Sequence, residues 1–382
     1  MKPFIFFLFC CLGMMTLSLN AQDLFQSDLA YGKYPVGFKA VQTTDYTRAA
    51  LQPGKVQSAG RAMQLYIWYP AEKANTNQLL YRDYLAYRFG QTQATRAGFF
   101  HSVAELGGDT TLLQTVFPKM ALSKTKAYRE AKIAPGQFPL IIFPDQLHLQ
   151  NILCEYLASW GFIVVSPVIQ GPFAEPMQYD PPGIETGVTD IQFALGYMRK
   201  NFPVQRDFAA MGLGFTATLA WALQMRDPDV KALISLEGGI TTPFEEELIQ
   251  RSPYYKVERC TAPMLVIYAP HPDVKPELVD KYKYAERVFQ FYPQSSEFYF
   301  LNFGIWERHL KNILPKANHG NTWQSFTHAA QSIKWFLNWK LKQDEPAKMA
   351  LFNLNEPQDI VNTSVKAATS TKENSHEKKK NE

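Results

Sequence analysis

Residues 208–225 hold the stretch whose succession of residue types describes a chemical device. Phe208-Ala209-Ala210-Met211 is a short apolar run suited to a buried strand, Gly212-Leu213-Gly214 permits a sharp turn, and Phe215 through Met225 reads as a buried helix. A strand, a glycine-bounded turn and a helix in this order lift a nucleophilic serine clear of its neighbours, beside backbone N–H groups that receive a developing oxyanion. The apex of this turn is Gly214, which has no hydroxyl to present. The pattern predicts the turn and lacks the nucleophile. Thr216 and Thr218 fall inside the predicted helix, not at the apex, so neither is placed to attack.

The elements that must position this turn follow from hydrophobic periodicity. Residues 37–41 and 63–69 predict opening strands, the second closed by Pro70. Residues 72–137 show no clear strand. Within them 79–87 is an aromatic amphipathic stretch, either a helical insertion or lid over a pocket or a helix packed on the core. From Phe138 strands and helices alternate: strands at 138–143, 162–165, 208–211, 230–236, 264–268 and 298–303, and helices around 149–157, 184–198, 215–225, 276–290 and 329–341. This alternation predicts an α/β fold with a mostly parallel central sheet and helices on both faces. From Glu345 to residue 382 the composition turns polar and predicts a flexible charged tail.

A chain of 382 residues with 46% hydrophobic content can bury one large core, placed here at residues 22–344. Met1-Lys2-Pro3, the apolar run 4–12 and the small residue Ala21 predict a signal peptide over 1–21, hence a secreted or periplasmic protein with no stable membrane anchor after cleavage. Cys10 and Cys11 lie inside the apolar run, which argues against a lipoprotein. Cys154 and Cys260 are then left as separate buried thiols in a compartment that permits disulfides. The net charge of +4 is spread along the chain, dense only at 378–380, and does not imply nucleic acid as a partner. The histidines lack metal-ligand spacing, so no metal is expected.

In the order of its elements over residues 34–341 the chain resembles an α/β-hydrolase. More narrowly it resembles secreted platelet-activating-factor acetylhydrolase-like and dienelactone-hydrolase-like esterases. The likeness is carried by 138–143, 156–164, the turn at Gly214 and 230–238. It implies that Gly214 matches the nucleophile serine, that Leu147 and Phe215 supply the oxyanion-hole N–H groups, and that no cofactor takes part. In the loop Pro144-Asp145-Gln146-Leu147-His148, Asp145 replaces the family's histidine, while Gln146 and His148 replace glycines. A carboxylate there opposes oxyanion stabilisation if it points inward; alternatively, Asp145 caps the helix near Leu149. Thr216 replaces the last glycine of the turn. The resemblance places the acid at Glu237, 237 − 214 = 23 residues after the apex, with Asp273 one strand later, where a turn residue beside Pro272 is the simpler reading. It places the histidine at His309, with His319 as the alternative. The implied function is a catalytically degraded esterase homologue that keeps a pocket for a small molecule or a protein. The alternative is an active carboxylic-ester hydrolase in which Glu237 or Asp145 activates water.

Overall fold

The computed structural model describes residues 27–52, 55–57, 60–89, 93–144, 147–171, 177–308, 310, 313–314, 322–352 and 360–369; the expected signal peptide at 1–21 lies outside them. The chain opens with β1 (Val36–Asp45), a hairpin of β2 (Ala50–Gln52) and β3 (Lys55–Gln57), and β4 (Arg61–Pro70) antiparallel to β1. Next come β5 (Gln78–Leu80), α1 (Tyr81–Phe89), α2 (Gln93–Glu105), α3 (Thr110–Ala121) and β6 (Lys124–Arg129). The central part is β7 (Phe138–Ile142), α4 (Asn151–Ser159), β8 (Ile163–Pro167), α5 (Pro181–Asn201), β9 (Val204–Gly214), α6 (Phe215–Gln224) and β10 (Val230–Gly238). The remainder is α7 (Pro243–Gln250), β11 (Met264–Tyr268), β12 (Arg287–Phe291), α8 (Phe303–Trp306), α9 (Thr322–Lys342), α10 (Glu345–Phe352) and β13 (Asn362–Lys366).

Eleven strands form one sheet in the order β13-β12-β11-β10-β9-β7-β8-β4-β1-β6-β5. The six from β8 to β12 run parallel. Their apolar runs are continuous because both faces are covered. On one face α4 and α9 pack Ile152, Leu157, Phe336 and Leu337 against Ile141, Val164 and Ile234. On the other, α5 and α6 pack Ile184, Ile191, Leu219 and Trp221 against Ile142, Val165 and Leu233. The chain steps from β7 to β8 on one side and then to β9 on the other. The winding thus reverses at β7, and the carboxyl ends of β7 and β9 flank the crevice where open α/β sheets receive ligands.

Several expectations are corrected. Residues 72–137 contain the strands β5 and β6; β6 escapes notice because only Thr125 and Ala127 are buried, alternating with the exposed Lys124 and Lys126. Of the two readings of 79–87 the structure takes the helix packed on the core: residues 79–80 end β5 and 81–87 lie in α1, with Tyr81, Tyr84 and Leu85 fully buried. Tyr84 donates to the buried Glu155 carboxylate (2.7 Å) and accepts from Trp68 (2.9 Å), and the Lys126 backbone N–H donates to the same carboxylate (2.8 Å). These bonds fasten α1, α4, β4 and β6 together, and burial raises the Glu155 carboxyl above its usual range.

The strand expected at 298–303 is a 3₁₀ turn (Glu297–Phe300) followed by α8, and the last parallel strand is β12, inside the stretch expected to be helical. Arg287 and Gln290 disguise β12; both are buried, Arg287 bonding the carbonyls of Asp280 and Ala367 and Gln290 the Ser332 hydroxyl. The stretch expected to be a flexible tail contributes α10, which packs on α9 through Ala347 and Leu351, and β13, antiparallel to β12; residues 370–382 lie outside the described set. The structure leaves Cys154 and Cys260 as separate buried thiols. Among the described residues no helix is long and apolar enough to cross a membrane.

Candidate functional site

The turn at the end of β9 is built from close backbone contacts. A Cβ on Gly212 would overlap the backbone of Ala217, so only glycine lets α6 fold back against its own strand. Gly214 sits at φ 53°, ψ −132°, a conformation that L-residues enter only with strain. Its missing Cβ would meet nothing nearer than the Glu237 carbonyl at 3.7 Å. The apex thus has room for a side chain and carries none. The N-terminus of α6 receives no side-chain cap at Gly214.

The end of β10 locks this turn in place. Glu237, Gly238 and Gly239 all have positive φ (41°, 143° and 69°), so the chain reverses sharply. A Cβ on Gly238 would come 2.5 Å from the Gly214 carbonyl oxygen, and one on Gly239 would come 2.7 Å from Nε1 of Trp221. Ser235 and Thr241 both donate their hydroxyls to the Gly238 carbonyl (2.8 Å each). Glu237 is buried, and its carboxylate accepts the backbone N–H of Ala269 just beyond β11. A non-glycine residue held at positive φ marks strain that surrounding structure must enforce.

Thr216 lies in α6 with its hydroxyl engaged by Leu213, accepting from the N–H and donating to the carbonyl (2.9 Å each). Thr218 is fully buried within the same helix. Leu147 is buried in the loop after β7, and Phe215 is half-buried at the start of α6. Asp145, Gln146, His309 and His319 lie outside the described residues. Asp273 is exposed in a turn, its N–H donated to Nδ1 of His271 (3.2 Å). The structure therefore brings Gly214, Phe215 and Glu237 together at one edge of the sheet.

An open cleft of about 620 Å³ begins at Phe215 and crosses the carboxyl ends of β9, β10 and β11. Its walls include Tyr179, Phe244, His271 and Asp273 from separate loops, and the rings of Tyr179 and Phe215 meet edge to face at 4.5 Å. Sequence reading missed this constellation. Tyr179 stands alone ahead of α5, Phe244 resembles an ordinary amphipathic-helix residue, and nothing in their spacing announces that they share a wall. Among the described residues no group of three or more His, Cys, Asp or Glu gathers as metal ligands.

Two histidines near this edge are buried and neutral. His148, edge to face with Phe99, is held down to about 3 by burial, with Arg88 adding to the effect, and His328, bonded to the Tyr292 hydroxyl (2.7 Å), is held down to about 4 by burial. Their folded values lie below the unfolded value, so unfolding takes up protons as pH falls through 6.5. The stabilisation from keeping them neutral is complete above pH 6.5 and is lost as pH falls to about 4 for His328 and about 3 for His148. The unfolding free energy from urea titrations should fall over that window by up to about 1.4 kcal/mol per pH unit for each imidazole, and His328→Gln should make the fall shallower. An unchanged slope in that variant would contradict a neutral buried His328. In the same assay at pH 7, Gly212→Ala should cost about 3 kcal/mol or more through backbone overlap, and Gly214→Ala only about 1–2 kcal/mol through strain. Equal losses would mean that the turn is not held as described.

No family model matches the chain, and no curated protein matches it. Among solved structures, a ferulic acid esterase from Streptomyces cinnamoneus superposes with a TM-score of 0.61 over 88% of this chain and 98% of that one, at 18% identity. In all, 452 solved chains match, so the likeness fixes architecture and leaves activity to the site. The chain has an α/β-hydrolase-type fold.

Proposed function

We propose that this chain is an esterase homologue that has lost serine-nucleophile catalysis and holds a ligand in the cleft beside Phe215. The observation that carries this reading is the apex at Gly214: an elbow conformation locked by Gly212 and Gly238, with space for a side chain and none present. Without a hydroxyl, acyl transfer through a covalent intermediate has no first step. The cleft lies within the size range of small-molecule sites and occupies the edge of the sheet where such sites form. In this reading Glu237 and His309 occupy the places of the former acid and base, with His319 as the alternative, and Leu147 and Phe215 those of the former oxyanion donors. The leader at 1–21 supports export, so the ligand is met outside the cytoplasm.

Hydrolysis of short-chain acyl esters tests this directly. The purified protein, Glu237→Ala and His309→Ala should all run at the uncatalysed rate. Gly214→Ser should add no substantial turnover, because Asp145, Gln146 and Thr216 also depart from the family pattern and the Thr216 hydroxyl is engaged by Leu213. Turnover by the native chain that disappears in Glu237→Ala or His309→Ala would overturn the reading in favour of an active hydrolase. Strong turnover by Gly214→Ser would show the rest of the machinery to be intact.

A further inference from the structure

We infer that the cleft selects a ring-bearing organic cation, of the arylalkylammonium class, over the corresponding neutral alcohol and over the carboxylate. The inference rests on the proposed reading that this cleft holds a ligand. Two features combine here. The first is aromatic surface left in water: Tyr179 is 63% exposed and Phe244 is 55% exposed, two of the eight exposed large apolar side chains among the described residues, and both line this one cleft with Phe215. Exposed apolar side chains gathered on a concave wall mark a binding surface more often than the same side chains scattered singly. Their ring faces attract another ring, or a cation.

The second feature is charge. Among the described residues the lining contains the carboxylates of Glu245 and Asp273 and no lysine or arginine. Lys275, one turn further on, directs its ammonium onto the Pro272 carbonyl (2.9 Å). Among the described residues His271 is the one lining side chain able to become cationic, and its Nδ1 accepts the Asp273 N–H (3.2 Å). Two helix N-termini also reach the cleft and would favour an anion. That of α7 is answered by Thr242, whose hydroxyl accepts the Glu245 N–H (3.3 Å) and donates to the Glu245 carboxylate (2.9 Å), itself seated at that terminus. That of α6 is uncapped, but a helix end is worth about half an elementary charge, against the full unit on the exposed Asp273. Asp273 enters no ion pair among the described residues, so its charge is available at the rim. The balance favours a cation.

The test uses three ligands that share one ring: tyramine, tyrosol and 4-hydroxyphenylacetate. They are titrated into the full chain at pH 7 and low salt, with binding followed by calorimetry. Tyramine should bind at least about tenfold more tightly than the acid, with tyrosol between them, and the gap should narrow in 0.5 M salt. Asp273→Asn should shrink the gap several-fold. Phe244→Ala should weaken all three ligands alike, and both side chains are exposed, so the fold should tolerate either change. If the acid binds as tightly as the amine or more so, the α6 terminus governs the site and the charge assignment is wrong, while the cleft stands as a ligand site. If none of the three binds in a manner sensitive to Phe244→Ala, the cleft reading fails together with the inference.

Discussion

The contact on which the site depends is between two backbones. Gly238 rests against the Gly214 carbonyl so closely that neither turn can move without the other. A Cβ on Gly238 would force the ends of β9 and β10 apart. The same packing logic places Gly212 against Ala217 and Gly239 against Trp221, so four glycines bring the end of β9, the start of α6 and the end of β10 together. Parallel strands in a twisted sheet provide the frame, and the reversal of winding at β7 leaves their carboxyl ends open to a ligand. The elbow is therefore a property of the glycines and the sheet, and it needs no side chain at its apex to persist.

Glycine at that apex also changes the energetics. A serine in the same conformation would hold strain, which a functioning elbow tolerates because it exposes the nucleophile. Gly214 adopts φ 53° without that penalty. Strain survives one strand away, at Glu237, whose positive φ is enforced by the bond from Ala269 and by the hydroxyls of Ser235 and Thr241 on the following carbonyl. Away from this edge, the Arg61 guanidinium is buried on Asp190 (2.8 Å on each side) and on the carbonyls of Gln170 and Gly171, tying the segment after β8 to α5.

Legibility in the sequence followed burial. The strands at 138–142, 163–165 and 264–268 were readable because residues covered on both faces form unbroken apolar runs. β12 was not, since Arg287 and Gln290 are interior polar residues whose partners come from distant parts of the chain. β13 was not, since all five of its residues are exposed at the sheet edge and their composition is that of a tail. Phe298-Tyr299-Phe300 has strand-like composition yet folds as a turn, because Phe300 packs on Tyr292 (5.2 Å) and its carbonyl receives Gln150 (2.7 Å). At the site, local pattern was enough for the sharp turn at Gly214, whereas Glu237 was reached only through the family resemblance. Local pattern could not reveal the cleft, whose walls come from loops after four different elements and converge only in three dimensions.

The central claim is that this edge keeps the shape of an elbow without its nucleophile. The most direct measurement is intact-protein and peptide mass spectrometry after treatment with a fluorophosphonate, which phosphonylates activated hydroxyls. The account predicts an unmodified chain, with Thr216 bonded to Leu213 and Thr218 buried in the helix. A stoichiometric adduct on Thr216, Thr218 or a serine near the carboxyl ends of β7, β9 and β10 would contradict it, because an activated nucleophile would then stand where none is described.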